Sequence, residues 1–138
     1  PYTTLFRSRL CVTGRWEDGY PLLQQALARN PALGDFYHIV PFLKLYKDAR
    51  YEEALAEAQR IHLPRLLDGP LAKAAAAAEL GRGDLASSAV ADVLRLDPAF
   101  PEHAATYLSN RGLYRALAQK LIDSWRKAGM KIAEDARG

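Results

Sequence analysis

The sequence has few of the residues from which metal and redox sites are built. Its 138 residues include one cysteine, one methionine and three histidines. A single cysteine, Cys11, excludes an intrachain disulfide and offers no cysteine pair to zinc. His38, His62 and His103 are far apart, and none has a second ligand three or four residues further on, as a helical metal site requires. We therefore predict no metal and no cofactor.

The sequence also has no apolar run near the roughly 18 residues that cross a bilayer. The longest small-residue stretch, LAKAAAAAEL, is short and carries Lys73 and Glu79. The N-terminus does not show the basic, apolar and small-residue order of a signal peptide. We expect no membrane partner and a cytoplasmic location, which agrees with the single cysteine.

Charge of one sign is not concentrated enough to indicate nucleic acid as a partner. Nineteen Lys and Arg against sixteen Asp and Glu leave a net charge of +3. A nucleic-acid reader usually shows a stronger basic stripe with interleaved aromatic residues. The one local excess of basic residues consists of Arg115, Lys120, Arg126, Lys127 and Lys131.

The sequence does contain an internal repeat. Four small or turn-forming residues, Gly14, Ala49, Gly81 and Gly112, are separated by 35, 32 and 31 positions. The positions five, nine and twelve residues after these anchors are small or apolar with the exception of Ser124, and their spacing places them on one face of a helix. These three columns are Gly19, Ala54, Ala86 and Leu117; Leu23, Ala58, Val90 and Leu121; Ala26, Ile61, Val93 and Ser124.

A second helix precedes each anchor. Seven and four residues upstream lie Phe42, Ala74 and Ala105, then Leu45, Ala77 and Leu108. Seventeen residues downstream, three of the four positions are helix breakers: Pro31, Pro98 and Gly129, with Leu66 as the exception. Each unit is therefore predicted to be a helix, a tight turn, a second helix and a break, which makes the chain all-α.

Three segments resemble the second half of tetratricopeptide repeats. They are GRWEDGYPLLQQALARNP (14–31), ARYEEALAEAQRI (49–61) and GRGDLASSAVADVLRLDP (81–98). The resemblance implies an α-solenoid of antiparallel helix pairs over residues 9–129, with three to four units, the first truncated. The fourth, RGLYRALAQKLIDSWRKAG, has Leu117 where the family has Ala, which suits a terminal capping unit.

A narrower resemblance extends from DFYHIVPFLKLY through the helix that ends in SWRKAGM. It is similar to repeat arrays that follow class III adenylate or guanylate cyclase domains, or winged-helix domains, in bacterial signalling proteins. This resemblance implies the C-terminal regulatory fragment of a larger protein. It covers the repeats alone, because no catalytic or DNA-reading segment of those proteins is found in the sequence.

The first eight residues, PYTTLFRS, do not fit the repeat. Pro1 with β-branched Thr3 and Thr4 favours extended chain, and the octapeptide matches the translation of a common sequencing-adapter end. We interpret residues 1–8 as a cloning or assembly scar; the alternative is a genuine segment that folds onto the first helix. Residues 130–138 are predicted to be a C-terminal tail.

Stacked helix pairs build a concave surface lined by the first helix of each unit. The residues predicted to line this groove, and to bind a protein or peptide, are Phe36, Ile39, Leu43, Tyr46, Lys47, Leu71, Glu79 and Glu102. The alternative is that the aromatic residues among them pack against the missing part of the first unit or against a neighbouring domain. The residues predicted to pack the repeats are Gly14, Ala26, Phe42, Ala54, Ala74, Gly81, Ala86, Pro98 and Gly112.

Three functions compete on the sequence alone. A non-catalytic protein-interaction scaffold is favoured. A homo-oligomerisation module is the alternative, and it expects an apolar outer face on the last helix, where Leu113, Leu117, Leu121 and Trp125 recur every four residues. An enzyme is disfavoured, because the Glu52–Glu53 pair points in two directions on a helix, and Ser87 and Ser88 have no His or acid at an interpretable spacing.

Overall fold

A computed structural model describes residues 10–11, 13–30, 39–61 and 66–133 of the chain. All regular secondary structure among these residues is helical, which confirms the all-α prediction. Leu10 and Cys11 are helical and are followed by seven helices. These are α1 (Trp16–Arg29), α2 (Ile39–Lys47), α3 (Tyr51–Gln59), α4 (Asp68–Glu79), α5 (Gly83–Leu96), α6 (Phe100–Asn110) and α7 (Arg115–Lys127).

The four anchor residues are the points at which helices end. Gly14, Ala49, Gly81 and Gly112 all have positive φ, at 99°, 61°, 71° and 74°. The amide of each anchor donates to the carbonyl three residues back, and the next amide donates to the carbonyl five residues before itself, as in Gly81 to Ala78 and Arg82 to Ala77. This is the Schellman arrangement, which satisfies carbonyls that a helix end leaves free. The recurring sequence anchor is therefore a recurring helix stop.

The columns that follow each anchor face the interior as predicted. The residues five and nine positions on are buried in every unit, and at twelve positions Ile61, Val93 and Ser124 are buried while Ala26 is half-buried. Of the residues predicted to pack the repeats, Phe42, Ala54, Ala74 and Ala86 are buried. Pro98 is exposed in the turn between α5 and α6.

The upstream column fails in the fourth unit. Ala105 is exposed, whereas its neighbour Ala104 is 1% exposed. Leu108, four residues after Ala104, is buried as predicted, so the buried face of α6 passes through Ala104 and Leu108 and not through Ala105. His103, which precedes them, has non-helical dihedral angles (φ −128°, ψ 21°).

Helix α4 is the centre of the protein. Ala74, Ala75, Ala76 and Ala77 are completely buried, and α4 contacts α2, α3, α5 and α7. A helix with methyl side chains on several faces lets neighbouring axes come toward the short end of the roughly 8–10 Å range. The alanine run is thus a surface on which four helices meet.

The fourth unit does not continue as a simple stack. Helix α7 packs on α4, and it also contacts the second unit through Tyr46. Tyr114, which immediately precedes α7, contacts Trp16 of the first unit. Repeats in a linear solenoid contact only their immediate neighbours. The last helix instead runs back across the array and closes it.

The proposed domain boundaries fall partly outside the described residues. Residues 1–8 and 134–138 lie there, so the interpretation of PYTTLFRS stays a prediction. At the other boundary, Met130 is buried, and Arg126 donates to the carbonyls of Ile132 and Ala133. Packed chain therefore continues beyond Gly129 into the predicted tail.

The helix stops generate a matched pair of substitutions. Ala49→Gly should stabilise the protein by about 0.5–1 kcal/mol, because an L-residue with positive φ is strained and glycine is not. Gly81→Ala should destabilise it by about 1 kcal/mol, since an added Cβ meets nothing within 4 Å and only the backbone strain remains. Urea unfolding measures both; shifts of the same sign would contradict the assignment.

The buried columns generate a second prediction. Ala86→Trp should cost roughly 1–3 kcal/mol or more, because a large ring cannot enter a closely packed helix contact without displacing the backbone. The control is Ser87→Trp, one residue along and exposed. Equal melting temperatures for the two variants would show that Ala86 is not at a close contact.

Candidate functional site

The predicted groove residues fall into two groups. Leu43, Tyr46 and Leu71 are buried, with Tyr46 completely inaccessible. Ile39, Lys47 and Glu79 are partly buried, Glu102 is exposed on α6, and Phe36 lies outside the described residues. The structure thus differs from an open groove, because three of the residues expected on its surface are covered within the chain.

Helix α7 covers Tyr46 and Leu71. We call the surface formed by Tyr46 of α2 and by Leu71 and Glu79 of α4 the inner face. Ser124 and Trp125 of α7 contact these three residues directly. Three first-helix residues that are separate in the sequence are therefore brought together by one crossing helix.

Tyr46 is the first contact point. Its hydroxyl, which has a single proton to donate, lies 2.8 Å from the carbonyl of Lys120 and within hydrogen-bond distance of the Ser124 hydroxyl. In return, Lys120 Nζ donates to the carbonyl of Tyr46 at 2.7 Å and lies 4.5 Å from the centre of the Tyr46 ring. A cation beside the last carbonyls of α2 is favourable for the helix dipole. Burial raises the pKa of Tyr46, so the phenol keeps its proton.

Glu79 is the second contact point and the charged one. Ser124 donates to its carboxylate at 2.7 Å, and Lys127 Nζ lies 3.0 Å from both oxygens. Its side chain is 13% exposed. Burial favours the neutral acid, but the hydrogen bonds from Ser124 and Lys127 outweigh it, so the pKa of Glu79 is lowered. The carboxylate is ionised at neutral pH and holds α7 by charge.

Trp125 is the apolar contact. It is 1% exposed, and its indole Nε1 donates to the carbonyl of Leu71 at 2.9 Å. Its ring packs edge-on against Phe100, with centroids 5.6 Å apart. Indole combines a large apolar area with one N–H that needs a partner when buried. The carbonyl of Leu71 supplies that partner.

The residue before α7 reaches the first unit. Tyr114 is in extended conformation and accepts a hydrogen bond from Trp16 Nε1 at 3.2 Å. Its ring also lies against Gly14, where a Cβ would be only 3.4 Å from the Tyr114 ring. Contacts with the rest of the chain therefore hold the last helix at both of its ends and in its middle.

The interface is polar as well as apolar, and its polar groups are satisfied. Among the described residues, every buried side-chain nitrogen or oxygen has a hydrogen-bond partner. Leu117, Leu121 and Trp125 are buried on the same helix. The apolar stripe that the oligomerisation hypothesis places outside is therefore covered within the chain.

Lys47, another predicted groove residue, borders a separate cleft between α1 and α2. This cleft is also lined by Trp16, Tyr20 and Lys44. Both lysines donate to Asp48, and these hydrogen bonds lower the pKa of that carboxyl group. Asp48 therefore offsets about half of the positive charge of the two lysines.

The residues weighed for catalysis are two glutamates in exposed ion pairs and two exposed serines. Glu52 pairs with Arg82, and Glu53 with Arg50. Ser87 and Ser88 are exposed on α5. Burial raises the pKa of Cys11 to about 11, so the thiol is protonated and a weak nucleophile at neutral pH.

The described part of the chain holds no cluster of three or more His, Cys, Asp or Glu side chains that could bind a metal. None of the helices in this part is long and apolar enough to cross a bilayer. His38 and His62 lie outside these residues, and His103 pairs with Asp97.

The chain matches no protein-family model, no curated protein sequence and no solved structure.

Helical spacing placed Tyr46, Leu71 and Glu79 on an open groove, and it did not predict the helix that covers them. Lys120, Ser124 and Lys127 were not predicted to contact Tyr46 or Glu79. One signal was present, because Ser124 is the single polar residue in three otherwise small or apolar columns. A serine at a buried position indicates a hydrogen-bond partner, although its identity depends on a residue 45 positions away.

The charge on Glu79 generates a prediction for pH. Because its pKa is lower in the folded state, its stabilising effect is complete above the unfolded value of about 4.3 and is lost as pH falls through the folded pKa. Glu79→Gln should therefore cost about 1–3 kcal/mol at pH 7 and progressively less below pH ~4.

The measurement is urea unfolding of both proteins between pH 7 and pH 3. The control is Glu53→Gln, since the Arg50–Glu53 pair is exposed on both sides and should contribute little. A difference between wild type and Glu79→Gln that stays constant across this range would contradict the role of the carboxylate.

Proposed function

We propose that this chain is a non-catalytic, tetratricopeptide-like scaffold that binds a protein partner on its inner face. In line with the resemblance of its repeats, we place it as the C-terminal regulatory part of a bacterial signalling protein in the cytoplasm. The proposal assigns it no reaction, no cofactor and no nucleic-acid partner.

The single observation that carries the proposal is the way α7 packs against the inner face. The inner face accepts an amphipathic helix through an apolar contact at Trp125, hydrogen bonds at Tyr46 and an ion pair at Glu79. Laying an amphipathic helix into a groove is a common way in which proteins recognise one another. The chain thus has a surface already complementary in shape and charge to a helix.

The repeated helix stops support the repeat assignment independently. The same αL turn follows the first helix of every unit, and the buried columns recur after each turn. Such regularity is typical of repeat modules, many of which serve binding.

Homo-oligomerisation is less well supported. It requires an apolar face of the last helix to be available to a second copy, yet Leu117, Leu121 and Trp125 are buried within the chain. Among the described residues, the large apolar side chains that are exposed lie elsewhere, on α1, just before α4 and at the end of α5; they are Leu22, Leu66 and Leu96.

The test combines solution mass with partner capture. We expect a monomer over a wide concentration range, and capture of a protein from a bacterial lysate that is lost with Glu79→Lys. Glu53→Lys makes the same charge change at an exposed position on α3 and should retain capture. A stable dimer whose capture does not depend on Glu79 would favour the oligomerisation module and contradict the scaffold.

A further inference from the structure

We propose that α7 is an intramolecular occupant of a site for a partner's amphipathic helix, and that the partner helix displaces α7 when it binds. This inference rests on the proposed function and adds the chemistry of the ligand and the step that opens the site.

The contacts of α7 define the partner. Leu117, Leu121 and Trp125 form an apolar stripe with one residue every fourth position. The carbonyl of Leu71 accepts an indole N–H, and Glu79 accepts an ammonium group two residues beyond the indole. A partner helix that fits has Leu at two positions four apart, Trp four residues later, and Lys or Arg two residues after the Trp.

The polar part of the interface makes separation feasible. Tyr46, Lys120, Ser124 and Glu79 are linked by hydrogen bonds, and water can replace each of these when α7 leaves. Lys127, which forms the ion pair, is already 59% exposed. Opening an interface with these groups costs less free energy than opening one made of apolar residues alone.

A short turn joins α7 to α6. Four residues, from Arg111 to Tyr114, separate the two helices, and Gly112 among them has φ 74° with nothing near an added Cβ. The remaining contacts of α4, with α2, α3 and α5, do not involve α7. Removal of the last helix therefore exposes the inner face and leaves α4 with these three neighbours, while α6 loses its packing of Phe100 on Trp125.

Because α7 belongs to the same chain, its effective concentration at the inner face is in the millimolar range, and it competes strongly with a free helix for that face. A free peptide of the same sequence should therefore bind the wild-type chain weakly and bind better when the tethered copy is weakened. Lys127→Glu weakens it selectively, since it turns the attraction to Glu79 into repulsion at a side chain that is largely solvent-exposed.

The experiment titrates the intact chain into a fluorescein-labelled peptide of residues 113–131 and follows anisotropy. Lys127→Glu in the chain should tighten peptide binding by roughly two- to tenfold, the range expected for removing and reversing a half-exposed ion pair. Arg115→Glu, the same charge change at an exposed residue of α7, should leave the affinity at the wild-type value.

A charge exchange identifies the site. The chain with Glu79→Lys should no longer bind the wild-type peptide, but it should bind a peptide that carries Lys127→Glu. Hydrogen exchange should show faster amides in α7 of the Lys127→Glu chain while α4 and α5 stay protected, which establishes that the core remains folded. If that variant loses protection throughout, Lys127→Gln, which removes the attraction without repulsion, replaces it.

Three results would overturn the inference. They are no peptide binding to the Lys127→Glu chain, equal binding to every variant, and peptide binding accompanied by dimers that exchange α7 between copies. Failure here differs from failure of the scaffold: capture that is lost with Glu79→Lys but unchanged by Lys127→Glu would mean that the partner binds at the exposed edge of Glu79 with α7 in place, which keeps the scaffold and rejects displacement.

Discussion

The structure depends on the close packing that the alanine surface of α4 permits. Ala74 to Ala77 are completely buried, and helices on several sides contact this one. A methyl group is small enough for axes to approach closely on several faces of one helix at once. Larger side chains would separate those neighbours, and the inner face would no longer bring Tyr46 and Glu79 within reach of one crossing helix.

Around this apolar centre, polarity is confined to places where it orients a helix. Tyr46 and Glu79 contact the same serine of α7 from two different helices. Apolar packing alone is tolerant of small rotations, whereas a hydrogen-bonded triad with an ion pair beside it selects one register. The inner face therefore favours one orientation of α7.

Much of the fold could be predicted because it depends on local rules. A residue with positive φ stops a helix, and small residues at offsets of five, nine and twelve face inward, whatever surrounds them. Spacing failed at Ala105, which is exposed, while Ala104 and Leu108, four residues apart, form the buried face of α6. The inner face was partly predictable: Tyr46, Leu71 and Glu79 were selected from helical spacing, but their burial was not foreseen.

The sequence by itself determined that the chain is helical, where its helices stop and which residues after each stop face inward, because these properties are settled within a few positions of the backbone. Only the tertiary structure decided that the last helix crosses back over α2 and α4. Contacts such as Glu79 with Lys127 and Tyr46 with Ser124 join residues 48 and 78 positions apart. Helical periodicity carries no information about which distant face a helix will cover, since that depends on the shape the other helices have already made.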